Sequence, residues 1–196
     1  MQGDLRLMLL PQVFRSVGDL EGVFVFNVSG MPETRVGYGN RRIRWVTQGG
    51  RPLDPLPALL ALADVARLGG AGGGSFRFEA RPAKDLIDLG WPGERVAERI
   101  LALVDERSYM EKLAEEDPML LNREVRVRPE GVKGVKGEAQ VAYLAMRPYL
   151  ERGTTPKKVA ATLGIDPKWA AALLFKLAEL GVVEPWLGDA RGEGAT

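Results

Sequence analysis

A chain of 196 residues, 45% hydrophobic and 27% charged, has the balance of a globular protein with room for one large or two small domains. It holds no cysteine and no histidine, which removes disulfides, thiolate and imidazole metal sites and the usual general base; neither a cofactor nor an enzymatic activity is expected. Its longest apolar run, Trp169–Phe175, falls far short of the roughly 18 residues of a membrane span, and MQGDLRLMLLP lacks the basic and sustained apolar regions of an export signal, so a bacterial cytoplasmic protein is expected.

The net charge of +1 conceals partitioning. Residues 91–122 carry four basic and eight acidic groups, whereas 123–178 carry 11 basic and five acidic ones. A positive block of this kind attracts nucleic acid, an acidic protein surface, or the acidic stretch of a second copy.

Leu5 and Leu7 are expected to start a strand, and Pro11 to open a short helix with Val13, Phe14 and Val17 inward. Val23–Val28, β-branched and aromatic between Gly22 and Gly30, reads as a buried strand. Arg35–Tyr38 and Arg42–Val46 read as a hairpin across Gly39–Asn40. Ile43 and Trp45 would share one face of the second strand and Arg42 and Arg44 the other. These arginines, with Arg35 and Arg41, read as a solvated outer face rather than a binding site.

Gln48–Pro57 is too broken by proline and glycine to pair. Leu59, Leu60, Leu62, Ala63, Ala66 and Leu68 mark a helix ending at the glycine run Gly69–Gly74. A phosphate cradle would need a following Gly-Lys-Ser/Thr and a helix N-terminus; here a strand follows, so the run reads as a flexible turn. Phe76 and Phe78 then share one face of a strand that rejoins the sheet.

A Gly-Asp-Leu start, a short helix, the strand Gly22-Val23-Phe24, the hairpin Tyr38-Gly39-Asn40 with Ile43, and the closing Gly74-Ser75-Phe76-Arg77-Phe78 together resemble the PATAN domain (named for the N-terminal region of the response regulator PatA). This is an α+β module of bacterial signalling proteins. The matching residues are turn and packing positions. The resemblance therefore implies a fold, a small antiparallel sheet with helices, and adaptor work beside response regulators, small Ras-like GTPases and motility or type IV pilus machinery.

Residues 91–117 read as a charged helix with Val96, Ile100, Leu103, Met110 and Leu113 in one stripe, interrupted by Arg107. It would bridge the two halves while packed on one of the two domains, or form a dimer contact. Glu115, Glu116 and Asp117 point in different directions on such a helix and read as solvated. Arg123–Arg128 alternates like an edge strand, and Pro129–Glu138 reads as a linker. Glu138–Arg152 follows as a helix using Val141, Leu144 and Ala145, with Pro148 kinking or ending it near Arg147.

Thr155 caps the next helix, which opens with Pro156, buries Val159, Ala160 and Leu163, and stops at Gly164. Asp166 and Pro167 open another, which Gly181 ends, and Val182–Val183 begins a wing strand. On that last helix Ala170, Leu173, Leu174, Leu177 and Leu180 face inward. The outward flank then carries Lys168, Trp169, Ala172, Phe175, Lys176 and Glu179, a set that suits a protein surface better than base edges; Trp169 and Phe175 would meet either a partner protein or another part of this same chain. The ending Leu177-Ala178-Glu179-Leu180-Gly181-Val182-Val183 is similar to the winged-helix-like tail that often follows PATAN domains.

The expected organisation is a PATAN-like domain over 1–90, a connector over 91–137, a winged-helix-like domain over 138–188 and a mobile tail over 189–196. The expected function is a non-enzymatic protein–protein adaptor, with a homodimer allowed. The alternative is a winged-helix DNA-binding regulator in which Arg147, Arg152, Lys157, Lys158, Lys168 and Lys176 contact phosphates.

Overall fold

Phe24 and Phe26 alternate with Val23 and Val25 along β2 (Gly22–Val28), so this strand is buried on both faces. In the computed structural model, which describes residues 1–83 and 88–184, β2 pairs antiparallel with β3 (Thr34–Gly39) on one side and β6 (Gly74–Glu79) on the other. Beyond β6 lies β1 (Gln2–Asp4); beyond β3 lies β4 (Arg42–Gln48), with β5 (Arg51–Pro52) and β7 (Trp91–Pro92) both pairing to it. The protein is α+β: among the described residues this antiparallel sheet has seven strands, accompanied by six helices.

The chain divides into two units, Met1–Val104 and Asp105–Thr196. In the first, the registers Phe24↔Phe78 and Phe26↔Phe76 gather the aromatics on one face. Across strands, such same-face pairs are what stabilises a sheet. α1 (Leu10–Arg15) sets Phe14 on that face, stacked 5.3 Å from Tyr38 and edge-on to Phe24 at 5.2 Å. α2 (Pro55–Gly72) packs against β2, β4 and β6.

Several local expectations change here. The first strand is Gln2–Asp4, and Leu7 lies beyond it, 82% exposed. The hairpin turns at Asn40 and Arg41, both with positive φ, because Gly39 already pairs with Arg42. A bulge leaves Arg44 unopposed between the pairs Tyr38↔Ile43 and Gly37↔Trp45. An extra residue reverses the alternation, so Ile43 faces α1 with Tyr38, while Trp45 joins Val23 and Val25 on the opposite face.

Within the stretch expected to stay unpaired, Arg51 and Pro52 pair with Gln48 and Thr47. The helix does not stop before the glycines: α2 runs to Gly72, because Gly69 admits Leu5, whose Cδ1 lies 2.6 Å from where a Cβ would stand. Pro92, expected in a helix, is in β7.

α3 (Gly93–Glu116) follows, and its residues 105–116 belong to the second unit. Then come 3-10 turns at Leu120–Asn122 and Pro129–Val132, α4 (Gly137–Leu150), α5 (Pro156–Leu163) and α6 (Pro167–Glu179). The stretch 91–137 is thus not a separate connector. Val125 bridges to Thr154 and Val127 to Val183, so the arginine-rich segment supplies the partner that the wing strand needs.

Nor is the glycine-lysine segment a free linker. Gly131 lies against Gly181, whose carbonyl oxygen is 1.8 Å from where a Cβ on Gly131 would stand. α4 is turned from its expected face: Ala139, Ala142, Tyr143, Met146 and Leu150 are inward and Leu144 is exposed. That stripe buries a tyrosine, a methionine and a leucine together, more area than Val141, Leu144 and Ala145 offer.

Pro148 sits in the last turn and does not end the helix. Leu180, expected inward, is exposed, because α6 ends at Glu179. The expected tail, 189–196, lies outside the described residues.

Candidate functional site

The outward flank of α6 was the expected docking surface, and its local frame forms as the sequence dictates. Asp166 accepts the Lys168 N–H at 2.7 Å, and Pro167 opens the helix. The flank itself is not free. Residues 105–116 of α3 lie across it within the second unit.

Trp169 is 2% exposed, with the Arg107 guanidinium 5.1 Å from its ring centroid. Ala172 is buried, and Phe175 meets Tyr109 with ring centroids 5.7 Å apart. Lys176 pairs with Glu106 at 3.1 Å and with Glu179 at 3.5 Å, and Lys168 pairs with Glu111. Of the two readings of this flank, packing of Trp169 and Phe175 within the chain is the one seen, and the docking surface expected there is covered. Helical periodicity separates two faces of a helix, but which neighbour covers the second face is a tertiary fact.

Arg107 organises this contact, and sequence reasoning treated it as a break in a stripe. It is 5% exposed, and its two terminal nitrogens reach Glu111 at 3.2 Å and Asp166 at 3.1 Å. Its Nε is buried without a hydrogen-bond partner. The available signal was an arginine inside an apolar stripe with a glutamate four residues on, since a buried cation requires a counter-charge. Burial raises the Glu106 carboxyl above its usual range, against the opposing bond from Lys176. The Lys176 ammonium is weakened by burial, yet its bonds to Glu106 and Glu179 outweigh that and raise it. Glu106 is the more buried of the two and also faces the like charges of Glu179 and Glu138.

The remaining basic candidates separate by whether a carboxylate holds them. Arg147 is paired with Glu151 at 2.7 Å. Arg152, Lys157 and Lys158 are exposed and have no ion pair among the described residues. Two of these three meet in a groove of about 380 Å³ lined by Tyr149, Arg152, Gly153, Thr154, Lys158, Ala161 and Thr162.

The groove follows from local chemistry. α4 ends at Leu150, and Gly153 turns the chain at a φ of +76°. Thr154 is tied to Val125 by two backbone bonds of 2.7 and 3.0 Å. Thr155 Oγ1 accepts the Lys158 N–H at 3.2 Å, which sets the start of α5. Lys158, Ala161 and Thr162 then share one flank, as residues three and four apart do, and the Thr162 hydroxyl donates to the Lys158 carbonyl at 3.0 Å.

Thr154 is 8% exposed, and its hydroxyl has no hydrogen-bond partner among the described residues. A nearby carboxylate, Glu124, abuts Gly153 and is held by Arg126 at 2.5 Å. The groove thus presents two cations without a dedicated counter-ion, beside hydroxyl groups and an aromatic wall.

Among the described residues no group of three or more His, Cys, Asp or Glu side chains is placed to hold a metal ion, and no helix is long and apolar enough to cross a membrane. Comparison of the chain with family models, with curated proteins and with solved structures finds no match.

Proposed function

We propose that the chain is a non-enzymatic adaptor of bacterial signalling, working in the cytoplasm, that docks a partner protein through the groove between α4 and α5. One observation carries this reading. The α6 lysines are neutralised by α3, whereas Arg152 and Lys158 converge without a partner in a concave groove. A concave site of this size receives a protruding side chain of another protein. Major-groove reading needs the flank of a recognition helix, which residues 105–116 of α3 occupy here. The PATAN resemblance supplies the class of partner: a response regulator, a small GTPase, or a motility or type IV pilus component.

Site-specific photo-crosslinking in the source cell tests the reading, with a benzophenone amino acid replacing the exposed Ala161 in the full chain. The expected result is one defined protein adduct that disappears when Arg152 and Lys158 are both changed to Glu. Adducts to nucleic acid alone would favour the winged-helix DNA reading, with Arg152, Lys157 and Lys158 the members of its six phosphate contacts that no carboxylate holds. Adducts to a second copy of the chain alone would make the groove a homodimer contact. Either result overturns the adaptor proposal.

A further inference from the structure

We propose that the group anchored in this groove is the phosphoryl group of a phosphorylated serine or threonine on the partner protein, an inference that rests on the docking role just given. The argument is a match of donors to acceptors. Arg152 brings a planar fork from the end of α4, and Lys158 brings a point charge from α5. Two cations from different elements over-neutralise a carboxylate, which has one charge and two oxygens. A phosphoryl group carries nearly two charges and three terminal oxygens, and paired basic side chains are its usual recognition chemistry.

Hydroxyls complete the set. Thr162 spends its proton on the Lys158 carbonyl, which leaves the unpartnered hydroxyl of the nine-tenths buried Thr154 to donate. The groove is larger than a phosphoryl group alone needs, and Tyr149 and Ala161 line it beside the cations. That extra apolar wall suits the residues flanking a phosphorylated side chain. It also distinguishes the site from a bare run of surface lysines, which would grip any polyanion equally. The carboxylate beside Gly153, Glu124, is paired with Arg126, and among the described residues it makes no ion pair with Arg152 or Lys158.

The test uses the full chain and fluorescent pools of short degenerate peptides whose central residue is phosphoserine, phosphothreonine, serine or glutamate. Fluorescence anisotropy at physiological salt should show the phosphorylated pools binding about tenfold or more tighter than the serine and glutamate pools. Arg152→Gln with Lys158→Gln should abolish the difference, while Lys157→Gln should leave it within about twofold, since Lys157 does not line the groove. Backbone amide NMR of the labelled chain, titrated with inorganic phosphate, should move residues 152–162 and leave 22–28 still; it also reports whether each variant is folded.

Equal binding of the glutamate and phosphorylated pools would overturn the phosphoryl assignment and leave the adaptor reading standing. Stronger competition by adenosine monophosphate than by the phosphorylated pools would overturn it in favour of a small-molecule site. Tighter binding of random duplex DNA, lost in the same double variant, would overturn both readings. Amides that do not respond to phosphate, together with equal affinity of all the pools, would overturn the inference.

Discussion

Changing Arg107 to Ala should loosen the second unit by roughly 3 kcal/mol and leave the first unit untouched. The guanidinium makes two charge-assisted contacts, at 3.2 Å to Glu111 and 3.1 Å to Asp166, and stacks 5.1 Å from Trp169. Contacts of the first kind are worth about 1.5–3 kcal/mol each, and a desolvated cation–π contact up to about 2. Removing the orphaned Nε returns roughly 1–3 kcal/mol. The two carboxylates left behind are 34% and 44% exposed, so water re-solvates them and the loss stays well below the sum.

Arg107→Met is the control, because it keeps the stem over Trp169 and removes both the charge and the orphan. It should cost about 1 kcal/mol less than Arg107→Ala, because the stem still packs on Trp169 while both variants leave the same two part-exposed carboxylates. Hydrogen exchange on the full chain reads both effects: amides in 105–116 and 167–179 should exchange roughly a hundredfold faster in Arg107→Ala. The reasoning is refuted if those amides stay within about threefold of the parent, or if residues 22–28 accelerate equally.

Gly131→Ala would drive a methyl group into the Gly181 carbonyl, 1.8 Å away. It should cost about 2–3 kcal/mol, seen as lost exchange protection at Val182–Glu184 with β2 unchanged. Thr155→Ala removes the acceptor of the Lys158 N–H and should cost about 1 kcal/mol, read as a lower urea midpoint. Glu106 gives a pH signature. Because its folded carboxyl is raised above the usual 4.5, the folded chain binds this proton more tightly than the unfolded chain. Its contribution to stability is therefore greatest at low pH and falls as pH rises from 4.5 through the raised folded value. Glu106→Gln should remove that part of the slope in urea midpoints measured from about pH 4 to 8; an unchanged profile would contradict it. Leu7→Ser alters a side chain that is 82% exposed and should shift stability by less than about 0.5 kcal/mol.

Much of the fold was legible where the determinant is local. The caps Thr155 and Asp166, the prolines that follow them and the left-handed Gly164 act within one turn of chain, and each helix starts or stops where they indicate. β2 and β6 were legible because their β-branched and aromatic runs are bounded by turn residues. Part of the candidate site was legible too, since Arg152 and Lys158 already stood among the candidate phosphate contacts. Their convergence with Tyr149, Thr154 and Thr162 was not, because Thr154 is positioned by its pairing with Val125, far upstream in the chain.

Read alone, then, the amino-acid sequence determined the α+β class, the buried strands β2 and β6, the limits of α5 and the start of α6, all governed by short-range sterics, capping bonds and apolar periodicity. Only the tertiary structure decided that Arg44 bulges β4 and turns Trp45 to the other face, that α2 runs through its glycines against Leu5, and that α3 closes the flank of α6. Those outcomes depend on which distant surface fills a given space, and a residue pattern carries no information about what stands across from it.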